Sequence, residues 1–157
     1  MADEMEMTLE PQAAFQRILD ALTQEFHCDR LVPEEDGRVL MGLDEEMGAA
    51  LFLPDDDDED EDGAMAATIY IAPADVSGEL LRSFLEANYF GEKTGGGVLA
   101  INGNALVLTK YFGLYPEDMQ EFLQEFATLV GAARYWRKAI LMDARDETEE
   151  TQHFIQV

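Results

Sequence analysis

Eight consecutive carboxylates, Asp55 to Asp62, constrain this chain more than any other feature. No sheet or core can hold such a run, because like charges repel along the backbone and each ionised group demands water. It therefore reads as a solvated loop, and whatever folds must join the apolar patterns before and after it. The loop belongs to a wider imbalance, 34 acidic against 10 basic side chains and a net charge of −24. Residues 1–10, 55–62 and 143–157 together carry −16 of it, so the rest of the chain holds a charge that an ordinary folded surface can carry. We expect a single domain over 1–157, folded from about 10 to 142, with 1–9 and 143–157 as frayed tails. At this length a core burying roughly 70% of the unfolded surface needs no disulfide or metal.

The apolar periodicity supplies the elements. Phe15, Ile18, Leu19, Leu22 and Phe26 recur at steps of three and four behind Pro11, which predicts a first helix. Arg38 to Leu43 and Gly48 to Leu53 read as two strands around Glu45-Glu46, and Ala67 to Ala72 as a third closed by Pro73. A second helix follows, capped by Asp75 or Ser77 and stopped at Gly91. Val98 to Ile101 and Ala105 to Tyr111 flank Asn102-Gly103-Asn104, a hairpin signal. The last helix starts at Pro116-Glu117-Asp118 and carries Met119, Phe122, Leu123, Phe126, Leu129, Val130, Ala133, Trp136 and Ile140 on one face. The order α-β-β-β-α-β-β-α predicts an α+β fold, a five-stranded antiparallel sheet with three helices.

Composition and motifs exclude several functions. The negative charge disfavours nucleic acid and anionic membranes. An acidic start and the lack of any apolar run of about 20 residues point to a cytoplasmic protein. Cys28 is the only cysteine, so no internal disulfide forms. Asp58-x-Asp60-x-Asp62-Gly63 matches the first half of a calcium loop, but the position for the bidentate Glu is Ile69, inside a strand. His27 and Cys28 adjoin Glu25 and Asp29, which raise rather than lower a thiol's pKa, and neighbours in sequence do not face each other on a helix. His27 and His153 are too few for a zinc site. Gly95-Gly96-Gly97 leads into a strand where a phosphate loop needs a helix. No nucleophile, base and oxyanion donor come together, so we expect no enzyme, no metal and no cofactor. Eight Met and fourteen Phe and Tyr leave apolar surface for an interface.

The stretch Leu80 to Gly91, ending in Ala87-Asn88-Tyr89-Phe90, then Thr94-Gly95-Gly96-Gly97-Val98-Leu99-Ala100-Ile101, resembles the class I type III secretion chaperones, the Tir chaperone family. The similarity spans about residues 10 to 142 and includes the first helix and Trp136-Arg137 of the last. The resemblance implies a homodimer in the bacterial cytoplasm that binds the amino-terminal segment of a secreted effector without ATP, partly by adding an effector strand to a sheet edge. On that basis Leu81, Phe84, Leu85, Tyr89, Leu99 and Ile101 are expected at the dimer interface. Phe15, Leu19, Leu22, Leu51 and Leu53 are expected to meet the effector. The acidic loop at 55–62 is longer than the family pattern leads us to expect there. The −24 charge motivates an alternative on the same fold, an acidic regulator that mimics DNA or occupies a basic protein surface.

Overall fold

The computed structural model describes residues 10–44, 47–54 and 63–155, with side chains described as far as Met142. The acidic run and the Glu45-Glu46 connection lie outside the described residues. Three helices and five strands follow in the predicted order. Helix α1 (Pro11–Phe26) carries Pro at its first turn and ends at His27, which takes a left-handed conformation (φ 51°). The stripe Ala14, Phe15, Ile18, Leu19 and Leu22 is buried, as a 3.6-residue period requires of a helix lying on a core.

Strands β1 (Val39–Gly42), β2 (Gly48–Phe52) and β3 (Ala64–Pro73) form a meander, followed by α2 (Gly78–Phe90) and a 3-10 turn (Glu92–Thr94). Of the two candidate caps for α2, Ser77 holds the position, its hydroxyl accepting from the Leu80 N–H at 3.2 Å. Gly91 closes the helix at φ 77°, where a side chain would be strained. Strands β4 (Val98–Asn102) and β5 (Ala105–Gly113) pair through the expected tight hairpin, and α3 (Met119–Ile155) completes the fold. Its backbone stays helical well past Ile140, the last buried residue among those whose side chains are described, into the stretch expected to be a tail.

All strands belong to one antiparallel sheet in the order β1-β2-β3-β5-β4. Paired residues share a face and successive residues alternate, so register assigns each side chain. One face carries Val39, Met41, Leu51, Ala67, Ile69, Leu99 and Leu108, and on it lie the buried residues of all three helices. An aromatic group ties the layers together: Phe126 of α3 lies 5.6 Å from Phe26 and 5.9 Å from Phe112 of β5. At the β-bulge between Tyr70 and Ala72, the Arg137 guanidinium donates to the Ile71 carbonyl and satisfies an acceptor that the irregular register frees.

Candidate protein-binding surfaces

The sheet's second face is built from Leu40 of β1, Ala50 and Phe52 of β2, Ala66, Thr68 and Tyr70 of β3, Val107, Thr109 and Tyr111 of β5, and Val98 and Ala100 of β4. None of these carries a charge. Thr68 and Thr109 meet across it, hydroxyl to hydroxyl at 3.1 Å. Leu40, Tyr70, Val98 and Tyr111 are exposed. A sheet that turns one face to water ordinarily alternates apolar with charged or polar residues, and this one does not. In a chain of net charge −24, an uncharged sheet face is a candidate contact surface.

Helix α2 borders this region at the β4 edge. The Asn88 side chain donates to the Leu99 carbonyl at 2.9 Å and accepts from the Leu99 N–H at 2.8 Å, so one amide does for β4 what a neighbouring strand would do. The edge is thereby capped at its second residue. The opposite edge, β1, has no strand on its outer side among the described residues. The turn leading to it is braced by Asp36, which accepts from the Arg38 N–H at 3.0 Å and from its guanidinium at 2.7 Å. These bonds lower the Asp36 pKa, the backbone N–H contributing most.

The residues expected at a dimer interface divide. Leu85 is 71% exposed, Tyr89 83% and Ile101 56%, whereas Phe84 and Leu99 are in the core and Leu81 is half-buried against it. Phe84 instead packs edge-on to Trp136, 4.8 Å between ring centres, and so fastens α2 to α3. Sequence reasoning passed over Phe90 and Val98, which are exposed beside the first group. Of the residues expected to meet an effector, Phe15, Leu19, Leu22 and Leu51 are buried within this protomer and Leu53 is half-buried. Helical periodicity marks the inward stripe and cannot distinguish a core from a groove. The second sheet face was missed too, although its signal was present: both alternating sets of each strand are uncharged but for Lys110.

Among the described residues no three His, Cys, Asp or Glu converge on a common point, and no helix is long and apolar enough to cross a membrane. No buried side-chain nitrogen or oxygen among them lacks a hydrogen-bond partner.

A family model described as the Tir chaperone protein (CesT) family matches residues 17–137. No curated protein matches the chain at the level of sequence. Among solved structures, the chain is similar to one in the ExsC–ExsE complex, with a TM-score of 0.66 and 17% identity over 84% of this chain and 97% of that one. It is similar to one in the HopA1–SchA chaperone–effector complex, with a TM-score of 0.62 and 14% identity over 83% and 99% of the two chains. A third is in the complex of the Yersinia pestis type III secretion chaperone SycH with a stable fragment of YscM2, with a TM-score of 0.58 and 14% identity over 78% and 98%. At these identities the likeness establishes the fold.

Proposed function

Because the chain belongs to the Tir chaperone protein (CesT) family, we propose that it is a type III secretion chaperone, a homodimer that holds the amino-terminal segment of a secreted effector extended, without ATP. It acts by stoichiometric binding, not by turnover. The observation that carries the reading is the uncharged sheet face bordered by the exposed Leu85 and Tyr89 of α2. Similar folds occur in a chaperone–effector complex and in a type III secretion chaperone bound to a protein fragment, which supports a protein ligand here.

The dimer forms through the outer side of α2, where Leu85 and Tyr89 meet their copies, and extends to Val98 and Ile101 of β4. The effector strand adds at β1, since Asn88 already occupies the backbone groups of Leu99 at the other edge. Backbone hydrogen bonds then supply affinity and side-chain pockets supply selectivity. Phe15, Leu19, Leu22 and Leu51 contribute to effector binding by shaping the face beneath α1, and Leu53 at the end of β2 by direct contact.

Two measurements test this. Partners recovered from the native host in high salt should include one protein whose amino-terminal region is protected from protease; a complex that dissolves as salt rises would favour the acidic-regulator alternative. Sedimentation at micromolar concentration should give a dimer, and Leu85→Glu with Tyr89→Glu should give a folded monomer, because a carboxylate in an apolar contact is costly to desolvate. A wild-type chain that is strictly monomeric ends the dimer proposal.

A further inference from the structure

We propose that the groove between α2 and α3 is a separate binding site, one that takes an arginine or lysine side chain of a basic peptide segment. It consists of two adjoining cavities of about 460 and 300 Å³ that share Glu92, Lys93 and Tyr135. The space exists because the facing helix surfaces carry small residues, Ala87 on α2 and Ala132 and Ala139 on α3, where larger ones would close the gap. The walls are held in place: Trp136 packs against Phe84, and its indole N–H donates to the Lys93 carbonyl at 2.9 Å, fixing the 3-10 turn at the groove floor.

The lining selects a cation. Phe90 and Tyr135 present exposed aromatic rings, backed by the buried Trp136; π faces attract ammonium and guanidinium groups, and Glu86 and Glu92 stand beside them. Lys93 is the only cation in the lining. Arg82 approaches Glu86 at 3.7 Å from the neighbouring turn, but both side chains are largely in water, and such a pair is weak enough to be displaced. The net charge of −24 draws basic segments in. The groove's wall on α2 is set by Leu80, Ser83 and Ala87, which fall on the side of the helix away from Leu85 and Tyr89, while the Phe90 ring at its end touches the Tyr89 ring, 5.1 Å between centres. The inference does not rest on the chaperone reading.

The chain has a single tryptophan, and it lines this groove. Titrating the full chain with the peptide acetyl-Arg-Ala-Arg-amide should change Trp136 emission saturably, and the same peptide with citrulline in place of arginine should bind about tenfold more weakly. Phe90→Ala and Glu92→Gln, both at exposed positions, should each weaken the arginine peptide by about threefold, and the double variant by about tenfold. Tyr135→Ala provides a further variant of the same wall. Lack of saturation, equal binding of the citrulline peptide, or affinity unchanged in all variants would overturn the proposal, the last by showing diffuse attraction to an acidic surface. Emission that shifts on diluting the protein alone would assign the groove to a second copy and overturn it too.

Discussion

At the scale of single residues, two positions carry more of this fold than their size suggests. Asn88 makes two hydrogen bonds to the backbone of Leu99 in a half-buried setting, and Asn88→Ala leaves both groups of the strand unpaired. The expected loss is about 2 kcal/mol in urea unfolding, since an orphaned backbone group costs more than a bond gains. Asn88→Asp should cost a similar amount, about 2 kcal/mol, because its carboxylate keeps the acceptor but faces the Leu99 carbonyl where a donor stood. Gly97 is constrained differently. A Cβ there would sit 2.8 Å from the Thr109 carbonyl oxygen and 2.9 Å from Leu129 Cδ1, so Gly97→Ala forces β5 or α3 to shift. A destabilisation of about 1–3 kcal/mol by thermal or urea unfolding is expected, the usual range for overpacking. Both residues stand in the segment that carried the family resemblance, and packing against β4, β5 and α3 gives each a physical reason. Neither role could be read from the sequence, where Asn88 was a helix residue and Gly97 one of three turn glycines.

Among elements, α3 organises the rest. Its Phe126 is fully buried, among rings from α1, β5 and its own preceding turn. Phe126→Ala should cost about 3–5 kcal/mol, measured as the shift in the unfolding free energy, because the cavity opens where three elements meet and none can close it alone. The apolar stripe of α3 was plain in the sequence, and so was the hairpin at Gly103, since both signals are local. Strand β3 was read as Ala67 to Ala72 but runs from Ala64 to Pro73. Its early residues, Ala64-Met65-Ala66, are neither β-branched nor aromatic and follow the acidic run after a single glycine; what makes them a strand is pairing with β5, Ala64 opposite Gly113. The continuation of α3 to Ile155 escaped the reading for a related reason. Apolar period reports a buried face, whereas a helix is held by backbone hydrogen bonds whether or not an apolar stripe marks it.

For the molecule as a whole, charge is the dominant fact. A net −24 on 157 residues repels itself in the compact state, and salt relieves this as the Debye length falls. Between about 0.01 M and about 0.15 M NaCl that length drops from about 30 to about 8 Å, so the melting temperature should rise by about 3–6 °C, for roughly 1–2 kcal/mol of relieved repulsion. A flat profile in scanning calorimetry would show that the acids are far enough apart not to interact. The same charge explains why an uncharged sheet face matters: like-charged surface discourages association, and this face carries none among the described residues. Period and turn residues act over a few neighbours, so the sequence alone determined the number and order of the elements and the antiparallel sheet. Which apolar residues face inward and which remain outside depends on register and on the helices lying against the sheet, contacts made between residues far apart in the chain. Only the tertiary structure could therefore bury Phe15 and Leu22, leave Leu85, Tyr89 and Tyr111 exposed, and open the groove beside Trp136.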